Sequence, residues 1–353
     1  MKKTVAFLII ILMMLSFGSC GKSHATAVAF VYGTDGILDR GANQGVSAAL
    51  EKYCTEKERT YLSCQAATDD KAGFNAAVAQ AVKKGAALIA VEGEANAPFV
   101  TEWQAAYPKT SFLIIDATIK DMAANTRSIT FKGEEAGFLA GFSLVMEGYT
   151  KIEFMGVSEN TMTKQFGYGF LRGADLAAIT KNIDVQMRYS YVGTIDKNDE
   201  IKKKAATGFI NGTEIIFFCG GNIYKPIIFS ANEAKGKTAG AYIDQAGESE
   251  SVVTSAVFDY TTIIGGELLK FFENGGKWDS TQSGKSSVFG IAEKAVYLPT
   301  YKGGFRFKTF TVTEYEKLVA DILGGLKTIN GSISQFPTMT KVKIIDDTVK
   351  AEK

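Results

Sequence analysis

The sequence predicts an α/β protein made of two doubly wound parallel sheets, and three observations carry that prediction. From Ala27 onward, apolar strand-like runs alternate with helix-like stretches along nearly the whole chain, the pattern of parallel strands covered by helices. The repeat is about 25–30 residues, the size of a strand-helix-strand unit. With 353 residues, 46% of them hydrophobic, the chain is long enough for two cores, since single domains usually hold about 100–200 residues.

The first segment reads as an address rather than as part of the fold. Lys2-Lys3 is a positive start, Thr4 to Phe17 is an apolar core, and Gly18-Ser19-Cys20 closes it with small residues, the layout of a cleaved export signal. The core, about 14 residues, is too short for a comfortable membrane span. Phe17-Gly18-Ser19-Cys20 resembles a bacterial lipobox, which implies a signal peptide over 1–20, lipidation of Cys20 and a tether to the cell membrane; secretion without a lipid is the alternative. Residues 21–26 then form a linker, in which His24, the single histidine, reads as a solvated residue.

The stretch Ala27 to Leu50 organises the first unit. An apolar run, Val28 to Val31, turns between Gly33 and Gly36 and presents Asp39, Asn43 and Gln44 ahead of a helix carrying Val46, Ala49 and Leu50. A strand that ends in a glycine turn and feeds a helix places polar groups and free N–H donors at the carboxyl edge of a sheet, where open α/β sheets bind ligands. The chain continues with helix Asn43 to Lys57, strand Thr60 to Ala66, a helix opened by Asp69-Asp70 and running through Lys84, strand Ala86 to Val91, a helix around Pro98 to Ala106, and strand Ser111 to Ile115 ending at Asp116.

A second run follows the strand Arg127 to Phe131. It holds helix Glu134 to Glu147, strand Lys151 to Val157, helix Phe166 to Ile179 with Gly169 and Gly173 spaced for close packing, strand Val185 to Val192, helix Lys197 to Gly208, strand Glu214 to Cys219, a helix after Gly221, and strand Thr238 to Ile243. Its strands end at Ser158-Glu159-Asn160, Thr194 and Asp196, Gly220-Gly221-Asn222 and Asp244-Gln245. From Ser251 come a strand, the helix Tyr260 to Glu273, a Gly/Ser/Thr-rich excursion from Gly275 to Ser287, short strands at Val288 to Ile291 and Ala295 to Leu298, and the helix Val312 to Leu326. Segments after two complete halves return to each half in turn. The expected lobes are therefore 27–131 plus 246–289 and 132–245 plus 290–340, with a tail over 341–353 and crossings near Phe131, Gln245 and Gly290 acting as hinges.

Composition excludes several functions. Thirty-nine basic and 38 acidic residues leave a net charge of +1, without the basic stripe of a nucleic-acid binder. One histidine and no CxxC speak against a metal site or a histidine base, and no cofactor is expected. Cys54 and Cys64 suit either a disulfide or packed thiols, and Cys219 falls in a buried-looking strand. Asp69-Asp70 and Asp346-Asp347 read as solvated or capping carboxylates.

The order of motifs resembles the basic membrane protein (BMP) family of lipoproteins, the purine-nucleoside receptors of ABC transporters with a type I periplasmic-binding fold. The resemblance rests on Leu38-Asp39-Arg40-Gly41-Ala42-Asn43-Gln44, Ile115-Asp116, Glu134-Glu135 with Phe138-Leu139-Ala140-Gly141, Gly169 to Gly173, Gly220-Gly221, Asp244-Gln245, Thr254 to Val257, and Phe289-Gly290 with Glu293 to Val296. It implies a solute-binding lipoprotein, not an enzyme, that closes two lobes on a nucleoside or related small molecule and passes it to permease and ATPase partners. This chain departs from the family pattern where the ligand is recognised. Ala42 and Ile195 stand where the family has stacking aromatics, Tyr242 where it has the ribose-binding acid, and Phe258 where it has a lysine.

The expected ligand-binding residues are Asp39, Asn43, Gln44, Asp116, Phe166, Thr194, Gly220, Gly221, Tyr242, Asp244 and Phe258. Helix capping is the competing role for Asp39, Asn43 and Gln44, and core packing for Phe166, Tyr242 and Phe258. A second reading of the whole chain is a degenerate family member serving as surface adhesin or ligand sensor. A nucleoside hydrolase is disfavoured, because the residues for metal or acid/base work are missing.

Overall fold

A computed structural model of the chain describes residues 27–193 and 198–345. The export signal with Cys20, the linker with His24, and Thr194 to Asp196 lie outside the described residues. The order of elements is β1 (Ala27–Tyr32), α1 (Ala42–Glu56), β2 (Tyr61–Gln65), α2 (Lys71–Lys83), β3 (Ala86–Glu92), α3 (Ala97–Ala106), β4 (Ser111–Ile115), β5 (Thr126–Phe131), α4 (Gly133–Glu147), β6 (Lys151–Gly156), α5 (Thr161–Lys181), β7 (Val185–Tyr191), α6 (Asn198–Ile210), β8 (Ile215–Cys219), α7 (Tyr224–Ala234), β9 (Lys237–Tyr242), β10 (Val252–Phe258), α8 (Tyr260–Glu273), β11 (Ser286–Phe289), β12 (Val296–Tyr297), α9 (Val312–Leu323) and β13 (Val342–Ile344).

The strands form two sheets, ordered β11-β5-β4-β3-β1-β2 and β12-β10-β9-β8-β6-β7-β13. All pairings are parallel except β10 with β12. The apolar composition of β1, β4 and β8 follows from this, because their residues are buried on both faces. In the first sheet β1 lies between β2 and β3, and in the second β6 lies between β7 and β8, so each has a point where successive connections leave in opposite directions. A crevice opens at the carboxyl ends of the strands on either side of such a point.

Local chemistry fixes the helices. Asp70 caps α2 by accepting from Gly73 N at 2.9 Å, and Asn160 and Thr163 form a reciprocal capping box at the start of α5. Helices α4 and α5 meet backbone to backbone. A Cβ on Gly137 or Gly141 would collide with the carbonyls of Phe166 and Phe170, and one on Gly169 or Gly173 with those of Glu134 and Phe138. The four-residue spacing of Gly169 and Gly173 is thus the signature of this contact.

Two boundaries differ from those read in the sequence. Strand β10 pairs with β9 in the second sheet, so the middle crossing is not at Gln245. It falls between Phe258 and Tyr260, after which α8 packs on α1 in the first lobe. A strand's apolar pattern says that it is buried and not which sheet it joins. The other two passages lie at Phe131 to Gly133 and at Phe289 to Ile291, tied together where Lys132 N donates to Phe289 O at 2.9 Å. The expected tail is also shorter, because Val342–Ile344 pairs with β7. Asp175 on α5 anchors it by accepting the N–H groups of Thr340, Lys341 and Val342.

The cysteines settle by position. Cys54 and Cys219 belong to one apolar cluster and Cys64 to another, and all three are free buried thiols. Burial pushes the Cys54 thiol up to about 11, against the opposing charge of Arg59, which leaves it protonated and unreactive at neutral pH.

Candidate functional site

The two crevices face each other across a cleft of about 740 Å³. The loops that follow strands build it. Tyr32 closes β1 and Gly33, Asp35, Asp39, Ala42 and Asn43 follow it, Glu92 closes β3 with Gly93 to Asn96 after it, and Asp116 follows β4. From the second sheet, Val157, Ser158, Asn160 and Met162 follow β6, Gly220 and Gly221 follow β8, and Tyr242 closes β9. Every wall is therefore a strand exit, as the topology requires.

Three backbone positions on these exits are held in the left-handed region, with φ of +57° at Asp116, +61° at Asn222 and +70° at Tyr242. Around Tyr242 the chain closes a three-residue turn, with Ile243 N donating to Ala241 O at 2.9 Å; around Asn222, Ile223 N donates to Gly221 O at 2.7 Å. Turns of this kind are rare and strained for residues with side chains, and such strain concentrates at ligand sites.

The lobes touch at the rim. Asn222 N donates to Asp39 O at 2.7 Å, Gln245 Nε2 to Arg40 O at 2.9 Å, and the Arg40 guanidinium pairs with Glu248 at 2.5 Å. Gly221 is required at this junction, since a Cβ there would lie 2.6 Å from Asp39 Oδ2. On the opposite side Thr161 N donates to Glu94 Oε1 at 3.4 Å. These contacts join the two lobes on both sides of the cleft.

The interior of the cleft is acidic. Asp39, Glu92 and Asp116 line it together. Burial raises the Glu92 carboxyl well above the ordinary carboxylate range, and the charges of Asp116 and Asp39 add to that. Burial lifts Asp116 to about 7, against the stabilising hydrogen bonds from the Tyr260 hydroxyl at 3.1 Å and Phe131 N at 3.2 Å. Asp39 is raised by burial as well, opposed by backbone N–H groups of Gly41 and Gln44 at 2.8 and 3.1 Å.

Of the residues expected at the ligand, Asp39, Asn43, Asp116, Gly220, Gly221 and Tyr242 line the cleft. Four others do not. Gln44 turns back to accept from Arg40 N at 3.1 Å. Phe166 and Phe258 are buried beneath the cleft, Phe258 stacked on Phe131 at 4.8 Å and Phe166 5.0 Å from Tyr242; an aromatic platform at the crossings takes both. Asp244 is engaged by the Tyr301 hydroxyl and by Ala246 N. Thr194 lies outside the described residues. The sequence did not single out Glu92, Glu94, Asn96 or Tyr32, although Glu92 ends its strand just as Asp116 follows its own, and that shared position was the available signal. Among the described residues there is no cluster of His, Cys, Asp or Glu arranged to hold a metal ion.

Two α/β lobes joined by three passages, with a cleft between facing switch points, make the type I periplasmic-binding fold. The chain belongs to the Bmp family, described as ABC transporter substrate-binding protein PnrA-like, whose model matches residues 26–334. It is 24% identical over 307 residues to basic membrane protein D of Borreliella burgdorferi, covering 84% of this chain and 86% of that one. It is 27% identical over 214 residues to the ABC transporter nucleoside-binding protein BmpA of Lactococcus lactis, a match that spans only 58% of either chain. Solved structures share the fold: an ABC transporter solute-binding protein from Aeropyrum pernix at TM-score 0.73 and 15% identity, covering 85% of this chain and 92% of that one, and another from Conexibacter woesei at 0.68 and 14%, covering 87% and 99%. No helix among the described residues is long and apolar enough to cross a membrane.

Proposed function

We propose that the protein is the extracytoplasmic receptor of an ABC importer, held to the membrane by a lipid on Cys20, that traps a small ring-containing solute between its lobes and delivers it to a permease. The observation that carries this reading is the cleft itself. Both lobes supply its walls from strand exits, and rim hydrogen bonds join them over it, so a solute held there is gripped from both sides while the crossings absorb the opening motion. A nucleoside or relative fits the family and the size of the cavity. Recognition would differ from the family pattern, with Ala42 and Tyr242 facing the cleft in place of an aromatic and an acid, and with Phe258 packed into the core.

The test is to denature the purified protein, identify the released solute by mass spectrometry, and titrate it back by calorimetry. Gly221→Val, which forces a side chain against Asp39, should weaken binding by tenfold or more; unchanged affinity would remove the cleft as the site. Loss of membrane association on Cys20→Ser tests the anchor.

A further inference from the structure

Asp116 lines the cleft with both of its carboxyl oxygens engaged by groups that border the crossings. Oδ1 accepts from Phe131 N at 3.2 Å, and Phe131 ends β5 where the first crossing begins; Oδ2 accepts from the Tyr260 hydroxyl at 3.1 Å, and Tyr260 opens α8 where the middle crossing ends. The Asp116 backbone is held as firmly, at φ +57° with its own N–H bonded to Ile129 O at 2.9 Å. A carboxylate offers about four lone-pair positions, so two are left for a solute and the two donors set their direction.

Tyr260 does not line the cleft and is 2% exposed. Helix α1 makes room for its ring at Gly45, where a Cβ would lie 2.3 Å from ring carbon Cδ2. The ring meets Phe131 edge-on with centroids 4.9 Å apart, and Phe258 likewise at 5.8 Å. Packed by α1, β5 and β10 at once, the ring holds its hydroxyl in place beside Asp116, as a supporting residue must if the group it supports is to keep one geometry.

We propose that Tyr260 is a positioning residue for Asp116, fixing the direction in which the carboxyl meets a solute and favouring its charged form. This rests on the solute-receptor reading above and adds to it a determinant that stands outside the cleft wall. Burial raises Asp116 to about 7, and the Tyr260 hydrogen bond acts against burial. Asp116 therefore exchanges its proton near neutral pH and can meet either a donor or an acceptor on the solute; without the hydroxyl it would stay protonated to higher pH. The other titratable groups about it are Glu92 at the end of β3, Asp39 in the loop after β1 and Tyr242 at the end of β9, all in the cleft, with Glu94, Lys132 and Glu134 around a smaller hollow that Asp116 also lines.

Tyr260→Phe keeps the ring in its slot and removes only the donor. Carbon-13 NMR of the solute-free chain, labelled at the aspartate carboxyls and assigned with Asp116→Asn, should show Asp116 titrating at about 7 in the parent and about half a pH unit or more higher in Tyr260→Phe. Calorimetry over the same pH range, with the solute extracted from the parent protein by denaturation as the probe, should show Tyr260→Phe binding about fivefold or more weaker at pH 7, with the inflection of its affinity moved upward in step with the titration. A loss of stability alone would move neither midpoint. An Asp116 midpoint that stays in place, or an affinity profile the same in Tyr260→Phe as in the parent, overturns the positioning role; if Gly221→Val still removes binding, the receptor reading stands. Affinity that ignores Gly221→Val as well overturns both.

Discussion

Asp116 shows how the site's chemistry sets its own stability. It is 9% exposed, lies near Glu92, Tyr242 and Tyr260, and its carboxyl is raised from 3.8 to about 7. The folded state therefore holds a proton that the unfolded chain releases near pH 4. Stability attributable to this group is present below that point, falls as pH rises toward about 7, and is lost above it. A shift of this size corresponds to an upper bound of about 4 kcal/mol. Asp116→Asn keeps an acceptor for Phe131 N and suits the left-handed backbone, so it should raise the melting temperature at about pH 8 by roughly 3–8 °C and flatten the slope between pH 4 and 7. A lower melting temperature at pH 8 would refute this. Asp39, Asn43, Asp116 and the Gly220-Gly221 pair were legible as positions on the cleft wall, because polar and glycine residues at strand exits fall on that edge. Phe166, Asp244 and Phe258 stand off that wall, which local pattern could not tell. Their positions near strand exits or helix starts are right, but the direction of a side chain depends on neighbours, the aromatic platform and Tyr301, that no local pattern reveals.

At the scale of elements, close packing and buried polar pairs do most of the holding. Gly169 lets α5 touch α4, so Gly169→Val should cost several kcal/mol or prevent folding, whereas Gly265 on α8 has open space around a would-be Cβ. Gly265→Ala should stabilise by up to about 1 kcal/mol; equal effects at the two sites in chemical denaturation would show the helix contact to be misassigned. The sequence showed 275–287 only as a Gly/Ser/Thr-rich excursion. It is clamped to the first sheet: Arg127 on β5 and Glu267 on α8 pair at 2.8 Å, both nearly fully buried, with Gln282 Nε2 donating to Glu267 at 2.7 Å and Trp278 packed on Phe271. Glu267→Ala strands a buried guanidinium and should cost about 3–5 kcal/mol, read as a drop in the urea midpoint. Composition marks such a segment as irregular, and only the buried partners, far away in sequence, mark it as fixed.

The whole molecule works by bringing two equivalent edges together. Both sheets repeat the same strand permutation and both supply their switch point to one cleft, which is why alternating strands and helices sufficed to predict the class. The assignment of β10 to a sheet was not readable, since its residues are equally buried in either. Contacts at the rim join the lobes, and among the described residues Arg40 with Glu248 is a salt bridge there. Glu248→Ala should therefore speed release of a bound solute several-fold with a smaller change in association rate, as measured by stopped-flow dilution; an unchanged release rate would show that the rim does not hold the lobes shut.

The central claim is that one solute is held from both lobes at once, and amide hydrogen exchange with and without the solute recovered from the protein tests it most directly. Protection should appear together on residues 33–44 and 92–96 of the first lobe and on 157–163, 220–223 and 242–246 of the second. Protection confined to a single lobe, or absent from both sets, would contradict the account.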